Sequence, residues 1–156
     1  MPLRMDTPMP SLDGGTEWFN SPPIKTEDLL GSPTLIHFWA ISCGICKESL
    51  PDISRWIERF TPQGLKVVGI HMPRQESDTN IEAVTEAITE YEVTWPCVID
   101  NWHTITDVFE NKYVPAFYIF DKDGKMRHFQ AGEKAPKMVE PVLERILGVK
   151  ENAPSA

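Results

Sequence analysis

Thr34-Leu35-Ile36-His37-Phe38-Trp39-Ala40-Ile41-Ser42-Cys43-Gly44-Ile45-Cys46 is the stretch from which the rest of the chain is read. Its first seven residues form a nearly continuous apolar run, the pattern of a central strand buried on both faces. The run leads directly into C-x-x-C, and beyond it Leu50, Ile53, Ile57 and Phe60 recur at helical spacing. That spacing predicts a helix from Cys43 to about residue 60, with Pro51 inside it as a point of kinking. Strand, C-x-x-C and helix in a βαβ setting are the context of a redox dithiol.

Working outward, residues 65–72 read as a second buried strand, entered through Gly64. Ile81, Val84 and Ile88 share one face of a helix expected over 79–91. A short strand at 97–99 follows, then a short helix marked by Ile105, Val108 and Phe109. Residues 114–120 form the next strand, Asp121-Lys122-Asp123-Gly124-Lys125 a hairpin turn, and 127–131 pair back antiparallel. A last helix covers 136–147 and stops at Gly148. Upstream, the Pro-, Gly- and Ser-rich residues 1–33 carry the turn signal Asp13-Gly14-Gly15. They are expected to form a β-hairpin with strands near 10–12 and 17–20, then a helical turn over 26–30 capped by Thr26. The order β–α–β–α–β–α–β–β–α predicts an α/β fold, a mixed central sheet flanked by helices on both faces. One domain accounts for residues 1–156, divided into the hairpin extension 1–33, a core at 34–148 and a flexible tail at 149–156.

The 156 residues suffice for a core without disulfide staples. Acidic residues outnumber basic ones 23 to 15, a net charge of −8, which disfavours nucleic acid and anionic lipid as partners. No stretch approaches the roughly 20 apolar residues of a spanning helix, so no membrane insertion is expected. The N-terminal residues hold an acid and two prolines where a signal peptide places its apolar run, and the chain reads as cytoplasmic, with an exported mature form as the alternative. Three cysteines make a poor disulfide framework, and in a reducing compartment a lone C-x-x-C is catalytic or metal-binding.

Only a thiolate is nucleophilic. At the start of a helix, Cys43 meets unpaired backbone N–H groups and the positive end of the helix dipole, and both stabilise the anion. Cys43 is therefore the expected exposed attacking thiol, and Cys46, one turn on and more buried, the thiol that resolves a mixed disulfide. A metal-binding or metal-delivery module is the alternative. A structural zinc needs four ligands, however, and Cys97, His37, His71, His103 and His128 are isolated in the sequence. No phosphate-binding loop or H-E-x-x-H occurs, so no cofactor is expected.

The run from Leu35 through Glu48 resembles the F-W-A-x-W-C-x-x-C-K of the thioredoxin-like superfamily, and over residues 9–148 the chain resembles its TlpA/ResA-type thiol–disulfide oxidoreductases, cytosolic bacterial members above all. The further marks are His71-Met72-Pro73-Arg74 and the run Tyr113-Val114-Pro115-Ala116-Phe117-Tyr118-Ile119-Phe120-Asp121-Lys122, with 74–80 as the candidate insertion after the second strand. The resemblance implies a thioredoxin fold, protein disulfides as substrates, an upstream dithiol reductant not named by the sequence, and a monomer. It implies a cis bond at Val114-Pro115 facing the dithiol, with the backbone of Val114 pairing with substrate like an added strand. It makes Trp39, Ser42, Gly44 and Ile45 walls of the active site. The related copper carriers use C-x-x-x-C, and the related peroxidases have Thr or Ser where this chain has Ala40.

Three departures stand out against that family. Ser42 replaces the Trp before the first Cys, and Gly44-Ile45 replaces a pair that contains Pro in thioredoxin; this intervening pair tunes reduction potential in such proteins. The buried acid that accepts the second cysteine's proton in thioredoxin aligns with His37, and the ResA-type Glu falls near Arg74, with Glu76 close by. His37 is either that proton acceptor or a hydrogen-bonded core histidine; Glu76 either an acceptor or part of a solvated loop. Cys97 reads as a buried, inert thiol, and Trp56 and Phe60 as core or shallow surface.

Overall fold

The computed structural model describes residues 3–149. Met1, Pro2 and the expected tail beyond Val149 lie outside the described residues. Six strands form one sheet: β1 (Glu17–Phe19), β2 (Thr34–Trp39), β3 (Lys66–His71), β4 (Cys97–Ile99), β5 (Ala116–Phe120) and β6 (Met126–Ala131). Their order across the sheet is β1-β4-β3-β2-β5-β6. The pairs β2–β3 and β3–β4 are parallel, and β2–β5, β5–β6 and β1–β4 antiparallel. The helices are α1 (Gly44–Phe60), α2 (Ile81–Glu90), α3 (Thr104–Val108) and α4 (Ala135–Leu147).

Strand alternation divides the core into two layers. On one face Leu35 and Trp39 of β2 and Phe117 and Ile119 of β5 meet Leu50, Ile53, Trp56 and Phe60 of α1, together with the apolar stripes of α2 and α4. On the other, Ile36, Phe38, Tyr118 and Phe120 meet Ile105 and Phe109 at α3 and Met9, Leu12 and Leu29 of the N-terminal segment. Both layers close over β2, and that fixes the strand's C-terminal end, from which the dithiol loop departs. α1 runs through Pro51 as one helix of 17 residues.

The N-terminal hairpin is not formed. The turn at Asp13-Gly14 exists, with Gly14 at φ 103°, but residues 10–12 make no strand. Instead Asp6 and Met9 donate to the carbonyls of Met126 and Gly124 beside the β5–β6 turn, and Pro8 bridges to Lys125. The chain then crosses one face of the sheet, and β1 pairs with β4, the strand whose outer edge is otherwise open (Glu17 opposite Ile99). A two-stranded ribbon standing alone is marginal, whereas pairing with β4 adds a strand to an existing sheet and covers its edge. The helical turn at Thr26–Leu29 is capped from Lys25, whose N–H donates to Asp28 Oδ2 at 2.9 Å, while the Thr26 hydroxyl donates to the Pro10 carbonyl at 2.7 Å. Ile81 and Val108, expected on buried faces, are exposed.

Buried Asp100 organises the loop beyond β4. Its carboxylate accepts from Ile105 N–H at 3.0 Å and from the N–H and hydroxyl of Thr106 at 2.7 Å each, capping α3 from outside the helix. His103, held at φ 59°, then donates from Nε2 to the Pro73 carbonyl at 2.8 Å and so supports the segment that follows β3.

Candidate active site

Cys43 is the N-cap of α1 in extended backbone conformation, and its Sγ accepts from Cys46 N–H at 3.1 Å. The two cysteines form a disulfide, with Cα atoms 5.2 Å apart. Ser49 closes the next turn through its hydroxyl, which donates to the Cys46 carbonyl at 2.7 Å. Cys46 is fully buried. Cys43, expected to be exposed, is 4% accessible: in the disulfide its sulfur turns inward against Cys46, and Ile41, Ile45 and Val114 pack against the same cluster. The order of exposure is the expected one, the absolute value is not.

Val114-Pro115 is cis, and the Val114 carbonyl oxygen lies 3.8 Å from Cys43 Sγ. Pro115, at the entrance to β5, is tied through its carbonyl to Gly132 N–H at 3.0 Å. Val114, Pro115, Cys43 and Cys46 are thus brought to one place. Gly44 is exposed, with open space beside its Cα, and Ile45 lies half-buried at a cleft between the first turns of α1 and α4. Trp39 lies under the site rather than on its surface. It is 1% exposed, packs edge-on against His71 with centroids 4.9 Å apart, and donates its indole N–H to Cys97 Sγ at 3.4 Å. Burial raises the Cys97 thiol to about 12, so it carries no thiolate near neutrality.

The proton-acceptor candidates separate. His37 is fully enclosed, and its Nε2 accepts from the Trp95 indole N–H at 2.8 Å. Desolvation lowers its pKa to about 3, so the ring is neutral. Glu76 is exposed at the start of a 3-10 turn over Glu76–Thr79. The carboxylate that reaches the dithiol loop is Asp78, two residues on and 1% exposed. It accepts from the Ser42 hydroxyl at 2.7 Å and from Arg74 N–H at 2.9 Å, while Arg74 Nε and Nη2 donate to Ser42 Oγ at 3.2 and 3.1 Å. Behind the same loop, His71 Nε2 accepts from Ile41 N–H at 3.1 Å, and burial lowers this imidazole to about 4 against the opposing pull of Asp78. Asp78 and His71 were missed in the sequence as site residues. The signal available was the polar Ser42, which at a half-buried position beside the dithiol calls for polar partners. Among the described residues no group of three or more His, Cys, Asp or Glu is placed to hold a metal, which gives the metal-module alternative no support.

A strand running into a helix capped by a disulfide-bonded C-x-x-C, opposite a cis-proline, has close counterparts. Residues 8–129 match the model of the AhpC/TSA family. The chain belongs to that family. It is 44% identical over 150 residues to the thiol-disulfide oxidoreductase YkuV of Bacillus subtilis (strain 168), covering 96% of this chain and all of that protein. Thiol-disulfide oxidoreductase ResA of Bacillus anthracis is 24% identical over 123 residues, 79% of this chain and 68% of that one. A solution structure of a thioredoxin-like protein in the oxidised form superposes with a TM-score of 0.86 at 43% identity, over 95% of this chain and 100% of that one. The thioredoxin-like fold and the TlpA/ResA-type resemblance are thereby borne out, and the chain is a thiol–disulfide oxidoreductase.

Proposed function

We propose that the chain reduces protein disulfides, with Cys43 as attacking thiol and Cys46 as resolving thiol. The observation that carries this reading is the position of Cys43 Sγ: at the helix N-cap, accepting Cys46 N–H, with the Val114 carbonyl 3.8 Å away. An N–H aimed at sulfur and the helix dipole both favour its thiolate. In the reduced protein, the Cys43 thiolate attacks one sulfur of a substrate disulfide. A Cys43–substrate S–S bond forms, the substrate S–S bond breaks, and one substrate thiolate leaves and is protonated. Cys46 then loses its proton and attacks Cys43 Sγ, forming the Cys43–Cys46 disulfide and expelling the second substrate thiolate. Two electrons have passed to the substrate, and an external dithiol reductant returns them.

The cis bond at Val114-Pro115 turns the Val114 backbone beside the sulfur, where an extended substrate segment can pair with it as an added strand. His37 serves as a core histidine, because Trp95 already occupies its Nε2 lone pair; exposed Glu76 serves the loop surface. Reduction is the direction expected in a cytoplasm-like compartment, where the thiol pool keeps such a pair as the dithiol. The working unit is a monomer, since one chain supplies both cysteines and the proline loop.

Equilibrating the protein with graded thiol–disulfide buffers and counting free thiols by mass tests this directly. A reversible two-thiol couple near about −270 mV, lost in Cys43→Ser, is expected of a reductant. A couple near about −120 to −180 mV would make it an oxidant or isomerase instead.

A further inference from the structure

The residue before the attacking cysteine is held in a way the exchange reaction itself does not require. Ser42 Oγ receives two N–H groups from one guanidinium, Arg74 Nε and Nη2, and passes its own proton to Asp78 Oδ2 at 2.7 Å. Arg74 adds its backbone N–H to the same carboxylate oxygen. With its proton committed to Asp78, the hydroxyl is not a donor to the neighbouring thiolate. What the trio brings to Cys43 is therefore charge: one cation and one anion, both fixed through the side chain of the adjacent residue. Asp78 is buried, so its field is poorly screened; Arg74 is exposed but pinned at two nitrogens.

Other charged side chains lie near the loop, with Glu48, Glu133 and Lys134 lining the cleft at Ile45, but the charged groups bonded to Ser42 are Arg74 and Asp78. Trp39 and Ile41 are held from the same side, by Met72 N–H donating to the Trp39 carbonyl at 2.8 Å and by His71 Nε2 accepting from Ile41 N–H. The His71 ring is neutral above about pH 4. On α1 itself the first turn carries Lys47, whose ammonium sits 6.0 Å from the centroid of the Tyr91 ring, and exposed Glu48. From the β5 side Cys43 faces the uncharged Val114 carbonyl.

We propose that Arg74 and Asp78 act as an opposed pair of positioning charges, Arg74 favouring and Asp78 disfavouring the Cys43 thiolate, with Ser42 fixing both. This rests on the reading of Cys43 as the attacking thiol. In effect the segment after β3 replaces an aromatic wall with an electrostatic setting for the nucleophile.

The test is the pH dependence of alkylation of the reduced full-length protein by iodoacetamide, with the modified cysteine located by peptide mass. In wild type, Cys43 should react first. Arg74→Gln should slow Cys43 alkylation at pH 7 by about three- to tenfold and move its titration up, and Arg74→Lys should restore most of the rate. Asp78→Asn, which keeps an acceptor for Ser42 and Arg74, should move the titration the other way. A purely mechanical clamp would shift Arg74→Gln and Asp78→Asn in the same direction, or leave Arg74→Gln unchanged, and either result overturns the proposal. Should Asp78→Asn fail to fold, Asp78→Ser takes its place as the test of the anionic half, while the Gln and Lys variants at exposed Arg74 decide the cationic half. Alkylation of Cys46 before Cys43 in wild type would instead sink the underlying assignment, and this inference with it.

Discussion

Gly69, on β3, leaves no room for a side chain. A Cβ built there would sit 2.6 Å from His37 Nε2 and 3.2 Å from Trp95 Nε1, the two atoms that share the buried hydrogen bond. Gly69→Ala is expected to push that pair apart and cost about 1–3 kcal/mol, the penalty for leaving a buried polar group without its partner. Trp95→Phe should cost a similar amount by removing the donor outright. Urea unfolding of both variants measures it. Neither effect is legible in the sequence. His37 reads there as an odd polar residue in an apolar strand, but its partner lies 58 positions away, and only the parallel β3–β4 pairing brings Trp95 onto the same face. For the same reason Ser42 announces a polar feature without naming Asp78 and Arg74, which arrive from the loop after β3.

One layer of the core is joined through α1, which carries the dithiol at one end and buried Leu50, Ile53, Trp56 and Phe60 along its length. Leu50→Ala should cost about 2–5 kcal/mol, as for other leucines removed from a closed core. The far half of α1 is tied to α4 by Glu140: Arg55 Nη2 and Trp56 Nε1 donate to one carboxylate oxygen at 2.8 and 3.1 Å, and Arg59 Nη1 to the other at 2.7 Å. Glu140→Ala is expected to cost about 1–3 kcal/mol, since three donors lose a partly buried charged acceptor; a urea midpoint lowered without change in slope would confirm it. The helices and strands of the core were readable because apolar spacing is dictated by which face each element buries. The N-terminal segment was not, because a Gly-Gly turn says that the chain reverses and does not say which edge it will meet. The edge of β4 lay open, and β1 took it.

At the scale of the whole molecule, two enclosed imidazoles make stability depend on pH. Desolvation lowers His37 to about 3 and His71 to about 4, from an ordinary value of 6.5. Both are neutral when folded, so below pH 6.5 the unfolded chain binds more protons than the folded one. Their contribution is fully present above pH 6.5 and is lost as the pH falls toward 4 and 3. Between pH 6 and 4.5 the loss should approach about 2–3 kcal/mol per pH unit. His37→Gln, which retains an acceptor for Trp95, should roughly halve that slope in urea titrations at stepped pH. A slope unchanged by the substitution would show that His37 is not held neutral.

We propose that Cys43 and Cys46, three residues apart, divide attack and resolution between them. That division is tested most directly by mixing reduced Cys46→Ser and reduced Cys43→Ser variants, separately, with a protein disulfide such as insulin, and looking for the covalent adduct by non-reducing mass analysis. Cys46→Ser is expected to accumulate a mixed disulfide through Cys43, stable until a reductant is added, whereas Cys43→Ser should accumulate none. Adduct formation through Cys46 in the Cys43→Ser variant, with none in its counterpart, would contradict it.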